Sequence, residues 1–162
     1  LLASRLVGAS GTVVAFEPLP RNLGYLRRHL QANDIRNVRL LPAAVSDRPG
    51  TAHFSEGRGP AMGSLAESGD LEVQTVALDP LVASGELPAP TFLKIDVEGA
   101  EAAVLAGAAG LLRDHHPTIL LSTHGYRHHQ TCWARLEEYG YTVSLQRDGT
   151  KDGNYVLVAA AR

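Results

Sequence analysis

Short apolar runs rich in β-branched residues alternate with stretches of helical periodicity along most of this chain, and that alternation limits the fold more than any other feature. Thr12–Phe16, Val38–Leu41, Leu71–Leu78, Phe92–Val97, Pro117–Ser122, Tyr141–Leu145 and Tyr155–Ala159 read as strands. Between them, Pro20 opens a helix with Leu23, Leu26 and Leu30 on one face, closed at Asn33-Asp34. Gly99–Leu112 and Tyr126–Tyr139 read as further helices, the second ended by Gly140. Strands that alternate with helices predict an α/β fold with an open, mostly parallel sheet. The final two strands, joined by RDGTKDGN, predict a C-terminal antiparallel hairpin. In such sheets ligands sit outside the carboxyl ends of the strands, which is where candidate residues are sought.

Size and charge narrow the function classes. At 162 residues the chain is one domain, 1–162, large enough to bury roughly 70% of its unfolded surface without a metal or disulfide staple. Its 15 Lys plus Arg against 17 Asp plus Glu give a net charge of −2, and the pI is about 6.4. That balance lacks the basic excess of a nucleic-acid or anionic-membrane binder, so a small molecule is the expected partner. The single cysteine, Cys132, can form no internal disulfide, and no apolar run approaches the roughly 20 residues that cross a bilayer, so a cytoplasmic location is expected. Leu1, Leu2, Leu6 and Val7 recur at helical spacing with no capping residue before them, so the sequence is expected to begin inside a helix of a longer enzyme.

Three strand ends carry candidate chemistry. Glu17 closes the Thr12–Phe16 strand, where an acid can accept hydrogen bonds from the vicinal hydroxyls of a ribose. In FLKIDVEGAE, a strand expected to be central and buried carries Lys94 and Asp96, a costly placement unless the charges are paired. Strand alternation puts Lys94, Asp96 and Glu98 on one face, Gly99 permits a tight exit, and Glu98 and Glu101 suit the positive start of the next helix. His124 follows the neighbouring strand, where an imidazole can take a proton from a substrate hydroxyl. The pairs His115-His116 and His128-His129 are adjacent residues that share no helix or strand face, and no metal ligands are assigned. Trp133 with Leu136 reads as core, Cys132 shows no sign of activation, and the turn-rich segment from Ser55 to Gly69 reads as a surface loop beside the acceptor pocket.

Taken in order, AFEPLPRN, PAAVSD, FLKIDVEGAE with VLAGAAGLL, and PTILLSTHG resemble the FkbM family of S-adenosylmethionine-dependent methyltransferases over roughly residues 1 to 141. The resemblance implies a Rossmann-like class I methyltransferase sheet and O-methylation of a small natural product or sugar. It implies that Glu17 binds the cofactor ribose, that backbone groups of Ala43 and Ala44 meet the adenine, and that Asp96 and Glu98 lie beside the transferred methyl. His124 then falls at the polar position after the next strand, with His124 or Asp96 as base. Family members often carry an acid near Ser122, where this chain has Ser-Thr-His. The family's first strand and Gly-rich loop would precede Leu1, and that strand would lie between those ending at Glu17 and Asp96, leaving two inner sheet edges unpaired. Two other readings of the residues remain open: an NAD(P)-dependent Rossmann oxidoreductase, since a strand-end acid serves either cofactor, and a non-catalytic remnant of a methyltransferase.

Overall fold

The computed structural model describes residues 1–56, 63–66, 71–150 and 153–161. In chain order the elements are α1 (Leu2–Leu6), β1 (Val13–Phe16), α2 (Pro20–Ala32), β2 (Val38–Leu41), β3 (Ala44–Val45), β4 (Gly50–Glu56), β5 (Gly63–Ala66) and β6 (Leu71–Val76). There follow α3 (Leu78–Ala83), β7 (Phe92–Ile95), α4 (Glu101–Ala106), α5 (Ala109–His115), β8 (Thr118–His124), α6 (Tyr126–Glu138), β9 (Tyr141–Arg147) and β10 (Asn154–Ala161).

Three sheets result. β1 and β2 pair in parallel, Val13 opposite Val38 and Phe16 opposite Leu41. The largest core lies on a sheet of order β7-β8-β10-β9, in which β7 and β8 are parallel and β10 runs antiparallel to both its neighbours. The expected terminal hairpin is therefore present, and its second strand inserts between β8 and β9. β1 and β7 belong to different sheets, and each has a ladder partner on only one edge among the described residues. A third sheet, ordered β3-β6-β4-β5, departs from the sequence reading. The expected loop from Ser55 to Gly69 instead contributes the end of β4 and all of β5, with its remaining residues outside those described. Its turn-forming composition hid an antiparallel pairing that only tertiary context supplies.

The main core forms because β8 and β10 each alternate. Ile119, Leu121 and Thr123 of β8 and Tyr155, Leu157 and Ala159 of β10 are buried, while the residues between them are only partly covered or exposed. Leu105 of α4, Leu112 of α5 and Leu136 of α6 are fully buried in the same cluster, each contributing about 1.5–3 kcal/mol. The Tyr141 hydroxyl donates to the Leu112 carbonyl at 3.3 Å, which satisfies a polar tip inside this cluster. The apolar stripe of α1, by contrast, faces outward: Leu2 and Leu6 are 71% and 76% exposed. That helix is tied to β2 through Asn37, whose side-chain amide donates to the Ser4 and Gly8 carbonyls at 3.0 Å.

The helix expected over Gly99–Leu112 is two helices, and the break has a packing cause. A Cβ at Gly107 would fall on the Ser46 carbonyl oxygen, so the connection after β3 docks against bare backbone there. The Gly107 carbonyl accepts the Asp79 amide at 2.8 Å, and the Asp79 carboxylate accepts the Gly110 and Leu111 amides, both at 2.8 Å. An acid from α3 thus caps the first turn of α5. Replacing Asp79 with Ala is expected to lower unfolding stability by about 1–2 kcal/mol. Urea denaturation checks it, and an unchanged midpoint would remove the cap from the account.

Candidate active site

β7 and β8 run parallel with Ile95 opposite Leu121, so their carboxyl ends deliver Asp96 and His124 to the same place. Lys94 donates from Nζ to Asp96 Oδ2 at 2.8 Å and to Ser122 Oγ at 3.3 Å. The expected pairing of Lys94 with a carboxylate is present, but its setting differs. Among the described residues β7 pairs only with β8, Phe92 and Lys94 are exposed, and the strand ends at Ile95. Both members of the pair are roughly half exposed, so it contributes at most about 1 kcal/mol.

Beyond Ile95 the chain turns sharply. Glu98 adopts φ 51, a left-handed conformation that costs a non-glycine residue about 1–3 kcal/mol, and Gly99 follows at φ 103. It is this turn, not strand alternation, that carries Glu98 back toward His124. Nε2 of His124 lies 3.7 Å from Asp96 Oδ1 and 3.5 Å from Glu98 Oε2. On the other side of the ring, Nδ1 lies 2.7 Å from Oε1 of Glu101, which also accepts the Gly99 amide at 3.0 Å.

Glu101 is the residue that sequence reasoning underrated. It opens α4, as an acid at a helix start should, yet its side chain is fully buried and Oε2 has no hydrogen-bond partner among the described residues. Nothing in the spacing of Glu98 and Glu101 shows that one faces solvent and the other the core. With Glu101 as a carboxylate, which only accepts hydrogen bonds, the contact is an Nδ1–H donated by His124. Such a bond sets the ring's direction and turns Nε2 toward the two exposed acids.

The other expected residues gather at the ends of β1 and β2. The Glu17 amide donates to the Leu41 carbonyl at 3.1 Å, which holds the acid beside the exit of β2. Its Oε1 accepts the Leu19 amide at 2.9 Å, which fixes the carboxylate's direction. A carboxylate acceptor at this strand end fits the donating hydroxyls of a diol-bearing cofactor such as S-adenosylmethionine. Ala43 and Ala44 are buried beside it, though the Ala43 amide is committed to the Leu41 carbonyl at 3.0 Å and Ala44 enters β3. Asp96, Glu98 and His124 form one group, and Glu17 with Ala43 and Ala44 another.

Residues 1–143 match the methyltransferase FkbM domain. Among curated proteins, the hexuronic acid methyltransferase AglP of Haloferax volcanii is 30% identical over 112 residues, covering 67% of this chain and 46% of the relative. The chain thus spans about half the length of that protein. Among solved structures, the methyltransferase FkbM of Methylobacillus flagellatus superposes over 91% of this chain and 36% of its own, with a TM-score of 0.61 at 22% identity. A precorrin-6y C5,15-methyltransferase from Geobacter metallireducens superposes over 99% of this chain and 71% of its own, with a TM-score of 0.59 at 18% identity. These likenesses confirm the Rossmann-like methyltransferase fold.

Two side chains of α6 complete the surroundings. Burial, with a smaller contribution from Glu101, pushes the Cys132 thiol up to about 12, so it stays protonated and is no nucleophile. His129 stacks on Tyr155 at 4.2 Å between ring centres, and desolvation holds its imidazole below the usual value against an opposing pull from Asp148. The unfolded chain then binds this proton more readily, so stability is full above about pH 6.5 and declines as pH falls through the depressed folded value. The urea midpoint is expected to drop between pH 7.5 and 5.5, and to drop less in His129→Phe. Equal drops in the two proteins would contradict it.

Proposed function

The chain belongs to the methyltransferase FkbM domain family, and from that premise we propose that it catalyses S-adenosylmethionine-dependent methylation of a hydroxyl on a sugar or another small molecule. The observation that carries the reading is the His124 imidazole, held from behind by buried Glu101 and aimed at Asp96 and Glu98 where two parallel strands end. When bound, the cofactor supplies an electrophilic methyl group on a sulfonium. What remains for the protein is to position the acceptor oxygen and to remove its proton as the new C–O bond forms and the C–S bond breaks. Asp96, Glu98 and His124 take that role, and His124 or Asp96 receives the proton. Glu17 accepts the ribose hydroxyls, with Ala43 and Ala44 forming the adjoining wall.

The likeness to a hexuronic acid methyltransferase supports a sugar acid as the acceptor class. Family membership also favours methyl transfer over the hydride transfer that Glu17 alone would equally serve. Calorimetric titration is expected to show S-adenosylhomocysteine binding, weakened at least tenfold in Glu17→Ala, and no heat from NAD. With glucuronic acid as acceptor, Asp96→Asn and His124→Gln are each expected to lower kcat by about 100-fold or more, with cofactor affinity retained. Binding of NAD in place of S-adenosylhomocysteine would overturn the proposal.

A further inference from the structure

We propose that Asp96, Glu98 and His124 bind a divalent metal ion, with Glu101 as the carboxylate that orients the histidine ligand. One donor atom from each of the three residues lies within 4.8 Å of the others. Proximity of acids alone would carry little weight, since exposed carboxylates often cluster without a cation. The case rests on what faces what around the imidazole.

In the tautomer that donates Nδ1–H to Glu101 Oε1, 2.7 Å away, Nε2 carries a lone pair. That lone pair faces Asp96 Oδ1 at 3.7 Å and Glu98 Oε2 at 3.5 Å. Three acceptors therefore converge with no donor between them. A proton on Nε2 is a poor remedy, since N–H···O bonds span about 2.7–3.2 Å and both gaps are longer. A cation is a good one. Two donors each about 2.1 Å from the same ion stand roughly 3.0–3.5 Å apart, close to both distances from Nε2, and the two exposed carboxylates, within 4.8 Å of each other, can rotate to close the set.

Glu101 provides an independent observation. It is fully buried, its Oε2 has no hydrogen-bond partner among the described residues, and its carboxylate reaches the back of the ligand histidine. A ring N–H given to a buried carboxylate, with the opposite nitrogen left to a metal, is the usual outer arrangement of histidine ligands. Charge points the same way. Asp96, Glu98 and Glu101 bring three carboxylates to one imidazole, and Lys94 engages only Oδ2 of Asp96, leaving Oδ1 turned toward His124. Two carboxylates and one imidazole suit Mn²⁺ or Mg²⁺, with Zn²⁺ as a softer competitor. The ligand set is not legible in the sequence, because Glu98 reaches His124 only through its own left-handed turn.

Binding of the ion stands independently of methyl transfer. Only its use rests on that reading: a cation held by Asp96, Glu98 and Nε2 of His124 would hold the acceptor oxygen and favour loss of its proton to solvent. The test is calorimetric and paramagnetic titration of the 162-residue chain with Mn²⁺ alone. Saturable uptake of one ion is expected, with amide signals of Asp96 to Gly99 and His124 broadened first. Affinity should fall at least tenfold in Glu98→Gln and Asp96→Asn, and about 10–100-fold in Glu101→Gln, while a His115→Gln/His116→Gln double variant binds as before. Glu98 is exposed, so its variant decides the matter even if Glu101→Gln does not fold. Absence of saturable uptake, or uptake undiminished in both Glu98→Gln and Asp96→Asn, would overturn the proposal.

Discussion

The contact on which this site depends is the hydrogen bond between the buried carboxylate of Glu101 and Nδ1 of His124. A carboxylate fully removed from water is costly unless its charge is answered, and here one oxygen receives both a backbone amide and the imidazole. The bond determines which ring nitrogen carries the proton and therefore which one meets ligands. Everything on the exposed side follows from it: the lone pair at Nε2, its orientation toward Asp96 and Glu98, and the capacity of the group to accept a proton or a cation. The same anion helps keep Cys132 protonated on the core side.

The fold brings the two ends of this bond together through elements that serve the core. Ile119 and Leu121 anchor β8 against α4, α5 and α6, so His124 emerges from a strand held by fully buried side chains. Val104 and Leu105 anchor α4 in the same cluster, which places its first residue, Glu101, behind that strand end. The left-handed turn at Glu98 bridges the parallel strand and this helix, and its strain is sustained because both flanks are fixed. Glu17 is placed in the same manner by the pairing of β1 with β2.

Much of this was legible in the sequence. Val38–Leu41 was read with its observed bounds, the helix from Pro20 to its stop at Asn33 was delimited by proline and turn chemistry, and the closing hairpin announced itself through RDGTKDGN. Misreadings arose where a distant segment decides local structure. Gly107 breaks a helix because Ser46 docks there, and α3 follows β6 where periodicity showed a single strand through Leu78. Among the site residues, Asp96, Glu98 and His124 could be named from strand-end logic and the family pattern. The burial of Glu101 could not, since an acid in the first turn of a helix is ordinarily solvated.

The central claim is that Glu101 sets the tautomer of His124, and long-range ¹H–¹⁵N NMR of the imidazole ring measures that directly. For the protein free of metal at neutral pH, the account predicts a proton on Nδ1 of His124 and an Nε2 with the signature of a bare, pyridine-like nitrogen, a preference lost in Glu101→Gln. A bare Nδ1 with the proton on Nε2 would contradict the account, because His124 would then present a donor to Asp96 and Glu98.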